Sequence, residues 1–155
     1  MERVRTILIW ATLAAALLVP MAVAATSPLL TWREPIYIVS GFAGVIGLAI
    51  LLLQPLLAGS SLPGLSPRRG RKLHAWLGGA LALAVLVHVV GLWITSPPDV
   101  IDALLFRSPT PFSVWGVIAM WAVIAAALLA MFRQRLRPRV WRLCHTVLAV
   151  VIASG

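Results

Sequence analysis

Residues 73–88, LHAWLGGALALAVLVH, contain two histidines, His74 and His88, and no Asp, Glu, Lys or Arg. They belong to a longer apolar run over residues 73–95, and about 20 such residues span the hydrocarbon core of a bilayer. Because a backbone in lipid must satisfy its own hydrogen bonds, the run should be helical. The stretch therefore predicts a membrane-spanning helix that carries two ionisable side chains.

The apolar runs on either side place the whole chain in the membrane. The 155 residues are 61% hydrophobic, with a mean hydropathy of +1.01. The runs are continuous and do not alternate in polarity, which favours helices over a β-barrel. We expect an all-α membrane protein, one domain over residues 1–155, built as a bundle of about five transmembrane helices. The predicted helices are 7–25, 36–58, 73–95, 112–132 and 140–155.

The net charge of +9 comes from basic clusters between the apolar runs, so it indicates topology and contact with membrane lipid, and no nucleic-acid partner is expected. A cytoplasmic N-terminus puts eleven of the thirteen basic residues on the cytoplasmic side, as the positive-inside rule requires. Those eleven are Arg3, Arg5, Arg68, Arg69, Arg71, Lys72, Arg133, Arg135, Arg137, Arg139 and Arg142.

The two ends of the chain raise separate questions. The first apolar run, followed by Pro20 and a small-residue stretch, also resembles a cleavable signal peptide; its length favours a retained helix. The last predicted helix, 140–155, would rise only about 24 Å, short of the roughly 30 Å core. We therefore expect it to continue beyond residue 155. The single cysteine, Cys144, excludes an intramolecular disulfide.

The spacing of His74 and His88 predicts two separate sites. Fourteen helical residues bring the side chains back to within about 40° of one face, while separating them by about 21 Å along the axis. One metal ion or haem iron cannot bridge that distance. The pair therefore indicates two sites stacked across the membrane.

His145 supplies a possible partner for His74. His74 follows Lys72 by two residues and His145 follows Arg142 by three, so both lie at the predicted cytoplasmic ends of helices that run in the same direction. The two imidazoles would then lie at matching depth and could ligate one haem iron from opposite sides.

Other residues fit the same site but have simpler explanations. Gly78, one turn from His74, would leave room for a planar macrocycle, although helix packing alone also explains it. Arg71, Lys72 and Arg142 would pair with haem propionates, although they also set topology. By symmetry with this site, the partner of His88 would lie near position 158 or 159.

These residues resemble a known family. The segments RRGRKLHAWLGGALALAVLVH, 68–88, and RPRVWRLCH, 137–145, are similar to the ferric reductase-like transmembrane domain. That family includes membrane parts of ferric reductases and NADPH oxidases, and the haem-binding membrane subunit of the periplasmic methionine sulfoxide reductase system. The resemblance implies two b-type haems held by two histidine pairs. His74, His88 and His145 match three of those four iron ligands, so we expect one haem b in this chain.

The resemblance also implies a function. Electrons would pass from a cytoplasmic flavin- or NAD(P)H-linked reductase to a periplasmic acceptor protein or ferric iron, across what we expect to be a bacterial inner membrane. The chain has no glycine-rich dinucleotide fingerprint, so flavin would be held by a partner, and whether this electron-transfer subunit is itself an enzyme stays open.

Two other interpretations stand beside electron transfer. One is a non-redox membrane bundle, acting as a proton or metal pathway or as a structural subunit. The predicted spans contain no Asp or Glu, which counts against a proton relay, and His88 lies too far from the other histidines for a clustered metal site. The other is an inactive fragment of an electron-transfer protein.

Overall fold

The computed structural model describes residues 1–154 and is helical along most of its length, as the sequence predicts. Six α-helices follow one another along the chain, and the described residues contain no strand. They are α1 (Glu2–Ala25), α2 (Pro35–Ala58), α3 (Pro67–Thr95), α4 (Pro97–Leu104), α5 (Ser113–Met131) and α6 (Pro138–Ser154).

Proline fixes where most of these helices begin. The first residue of α2, α3, α4 and α6 is a proline. The φ angle of proline suits a helix, and its missing N–H costs nothing there because the first N–H groups of a helix have no intrahelical acceptor. This explains why α3 begins at Pro67 rather than at residue 73. The basic residues Arg68, Arg69, Arg71 and Lys72 are therefore part of the helix that carries His74 and His88.

Four of the helices, α1, α2, α3 and α5, are long and apolar enough to cross a membrane, and the protein is an integral membrane protein. The fifth predicted span corresponds to α6, which has 17 residues within the described part of the chain. Helix α4, which has eight residues, was not predicted from the sequence.

Large apolar side chains are widely exposed on the helices, as lipid contact requires. Leu83 is 61% exposed and Trp121 is 58% exposed, although both lie in spans of high hydropathy. In water such surfaces would drive association; in a bilayer they face hydrocarbon, and little hydrophobic force acts between the helices. Close packing and hydrogen bonds must then hold helix pairs together.

The chain divides into two compact units, one from Met1 to Gly91 and one from Leu92 onward. In the first unit, α1 packs on α2, and hydrogen bonds join α2 to α3. In the second, α4 and α6 both pack on α5. Val117, Ala122 and Val123 are the buried residues of α5. The single domain over residues 1–155 stays a prediction.

Candidate functional site

Both histidines of α3 are hydrogen-bonded to the backbone of α2. Nδ1 of His74 lies 3.2 Å from the carbonyl oxygen of Gln54, and Nδ1 of His88 lies 2.8 Å from the carbonyl oxygen of Ser40. Ser40 and Gln54 are fourteen residues apart on α2, as His74 and His88 are on α3. The two helices are therefore antiparallel, and the same bond occurs twice at the same register.

These bonds determine which ring nitrogen carries the proton. A carbonyl oxygen only accepts, so Nδ1 of each imidazole donates. In a neutral ring Nε2 then keeps the lone pair, which is the nitrogen state that a metal requires. A backbone carbonyl on the other ring nitrogen is the usual support for a metal-bound histidine. The donor chemistry of His74 and His88 thus fits axial ligation of haem iron.

The contact around His88 is especially close. Ser40 is fully buried, and its hydroxyl donates to the carbonyl oxygen of His88 at 2.7 Å, so the two residues bond to each other twice. A Cβ added at Gly44 would lie 2.8 Å from Nδ1 of His88, and one added at Gly91 would lie 2.7 Å from Cβ of Ser40. Only glycine at these two positions lets the helices approach this closely.

The surroundings of His74 differ because they contain a buried amide. Gln54 is 9% exposed, and neither polar atom of its side chain has a hydrogen-bond partner among residues 1–154. Its Nε2 would lie 3.8 Å from a Cβ added at Gly78, one turn along α3 from His74. The amide therefore lies against the part of α3 where sequence analysis predicted a macrocycle.

In the second unit, α6 carries His145 and Arg142. The ring of His145 stacks on that of Trp141, with centroids 5.3 Å apart and an interplanar angle of 9°. The exposed side chain of Arg142 donates from Nε to the carbonyl oxygen of Pro138 at 3.3 Å. Because His145 belongs to a different unit from His74, their pairing at one iron stays a prediction.

The remaining predicted residues are located as follows. Arg71 and Lys72 are exposed on the first turns of α3 and Gly78 is half-buried, so their contacts with haem remain predictions. No group of three or more His, Cys, Asp or Glu side chains in residues 1–154 is arranged to hold a metal ion.

Ser40 and Gln54 were not predicted as site residues from the sequence. Any backbone carbonyl can accept a hydrogen bond, so their role depends on helix register, which the sequence does not state. One signal was present: two polar residues on α2 repeat the spacing of the two histidines on α3.

Comparison with known proteins gives one family. Residues 40–155 match the family described as ferric reductase like transmembrane component, which is about three quarters of the chain. The match begins at Ser40 and contains all three histidines. No curated protein and no solved structure matches the chain.

Proposed function

This chain belongs to the ferric reductase-like transmembrane component family, and from that membership we propose that it is a haem b-binding membrane subunit that carries electrons across the bilayer. The observation that supports this most directly is the pair of Nδ1-to-carbonyl bonds from α3 to α2. They set both imidazoles in the tautomer that binds iron, at two levels of one helix.

In this proposal, His74 and His145 would hold the inner haem, and His88 would supply one of the residues that hold an outer haem. When bound, haem b supplies a one-electron Fe(III)/Fe(II) couple. The carbonyl oxygens of Gln54 and Ser40 orient the α3 ligands and raise their basicity. Trp141 fixes the plane of the His145 ring by stacking, and Arg71, Lys72 and Arg142 offer cations to the propionates.

The proposed donor is a cytoplasmic flavin- or NAD(P)H-linked reductase, and the proposed acceptor is a periplasmic protein or ferric iron. Proteoliposomes that contain reduced flavin and are bathed in a ferric chelate test whether electrons cross the bilayer. Reduction of the external chelate only when the chain is present is expected.

Haem binding is tested by the reduced-minus-oxidised absorption spectrum of the detergent-purified chain, with haem counted per chain. One b-type haem is expected. His74→Ala and His145→Ala should each abolish it, while His88→Ala should retain it, because each of the first two removes an inner ligand. Leu83→Ala, at a lipid-exposed position of the same helix, is the matched control.

Two outcomes contradict the proposal at different levels. Loss of haem from His88→Ala alone would reverse the assignment of sites. If the chain purified from cells supplied with haem carries none, the result would favour one of the two other interpretations, a non-redox membrane bundle or an inactive fragment.

A further inference from the structure

Gln54 is a polar side chain in an unusual position. It lies in the last turns of α2, is only 9% exposed, and both polar atoms of its amide lack a hydrogen-bond partner within residues 1–154. Leaving an amide buried without a partner is unfavourable, because the hydrogen bonds that it makes with water in the unfolded chain are not replaced. A group outside this part of the chain that satisfies the amide would recover that cost.

The backbone and the side chain of Gln54 face the same ligand helix. The carbonyl oxygen accepts from Nδ1 of His74 at 3.2 Å, while Nε2 lies beside Gly78, 3.8 Å from where a Cβ would be. In the antiparallel pair, Gly78 is nearer than His74 to the level of His88. The amide therefore lies on the membrane-interior side of the His74 ligand, where Gly78 leaves space.

From these contacts we infer that the side-chain amide of Gln54 is a hydrogen-bonding group of the inner haem site and raises the midpoint potential of that haem. This inference rests on the proposed function. An amide that donates toward the haem stabilises the electron-richer, reduced state, because its N–H dipole presents positive charge in a medium of low dielectric. Gln54 thus contributes twice, with its carbonyl to the ligand and with its amide to the haem.

The two contributions are separable by mutation, because a side-chain change leaves the carbonyl in place. Gln54→Met keeps the length of the side chain and removes its hydrogen-bonding capacity. A potentiometric titration of the purified holoprotein should show the haem of this variant at a lower potential. One hydrogen bond corresponds to a change of about twofold to tenfold in the reduction equilibrium, and tenfold is ~59 mV for one electron.

The matched control is Leu52→Met, which introduces the same residue on α2 at a position that is 45% exposed; its potential should equal that of the wild type. Haem content and the low-spin electron paramagnetic resonance spectrum should be unchanged in both variants, because the axial ligands stay in place. A Gln54→Met holoprotein with the wild-type potential overturns the inference. A wild-type chain without haem instead overturns the proposed function, so the two failures are distinguishable.

A second measurement needs no substitution at Gln54. The chain contains two glutamines, Gln54 and Gln134, and Gln134 is exposed. In protein labelled with ¹⁵N at glutamine side chains, reduction to the diamagnetic state allows both amides to be followed with and without haem. The Gln54 amide resonances should shift on haem loading while those of Gln134 stay fixed. Unchanged Gln54 resonances in the loaded protein overturn the inference.

Discussion

At the scale of single residues, the glycines of α2 are not equivalent. A Cβ at Gly44 would lie 2.8 Å from Nδ1 of His88, whereas a Cβ at Gly41 would meet nothing within 4 Å. In the sequence, both are small residues on a predicted membrane helix. The sequence does not tell which one touches His88, because that depends on rotation about the helix axis.

This difference makes a direct prediction. Gly44→Ala should lower the free energy of unfolding by about 1–3 kcal/mol, since overpacking forces the helices apart, and it should break the hydrogen bond from Nδ1 of His88 to the carbonyl oxygen of Ser40. Thermal unfolding in detergent measures the loss. Gly41→Ala is the matched control and should be neutral or stabilising, because alanine favours a helix over glycine by up to ~1 kcal/mol. Equal effects at the two positions would contradict the packing of α2 on α3.

The Trp141–His145 stack makes a second prediction at this scale. Trp141→Leu should widen the range of ring planes that His145 adopts, because the parallel contact at 5.3 Å is lost. Broadened low-spin resonances of the haem and a lower haem content are expected. Trp141→Phe, which keeps an aromatic face, should restore most of both properties.

The control for the stack is Trp121→Leu, because that tryptophan is 58% exposed on α5. It removes an equal side chain from the neighbouring helix without touching a predicted ligand. If Trp121→Leu broadened the haem resonances as much as Trp141→Leu does, the effect would come from losing any large aromatic side chain and not from losing the stack on His145.

At the scale of helices, the sequence predicts well that a helix is present and less well where it begins and ends. Long apolar runs cannot be anything but helices in lipid, and α1, α2, α3 and α5 all appear where they were expected. Helix α4 was missed because Pro97 and Pro98, with Asp99, are typical of a loop. The structure uses the same prolines to begin a helix and Asp99 as the acidic residue of its first turn.

The packing of α4 on α5 is testable through Val100, which is 9% exposed. Val100→Ala should lower the free energy of unfolding by about 2 kcal/mol, because it removes the apolar contacts of two buried methyl groups. Ile101→Ala, at a neighbouring position that is 42% exposed, should change it by less than about 0.5 kcal/mol. Chemical denaturation in detergent compares the two variants. If these residues formed a loop and not α4, Val100→Ala and Ile101→Ala would change the free energy of unfolding by similar amounts.

At the scale of the whole molecule, the distribution of basic residues predicts a cytoplasmic N-terminus. With Cys144 replaced by alanine, single cysteines at Ser66, before α3, and at Ser108, after α4, should react with a membrane-impermeant maleimide from opposite sides. Ser66→Cys should be labelled from the cytoplasmic side and Ser108→Cys from the outer side. Labelling of both from one side would contradict an odd number of crossings between them.

The α2–α3 hairpin has a consequence for the order in which the protein is made. Its two helices are joined by residues 59–66, and both bonds to the histidines lie within it. A ribosome that adds about 5–20 residues each second needs roughly 3–10 s to proceed from Thr95 to His145. All residues of the hairpin, including both hydrogen-bonded pairs, are therefore made before His145 has been translated. If the chain binds the inner haem as proposed, cofactor loading at that site is therefore a late event of biogenesis, because His145 is made after the α2–α3 hairpin.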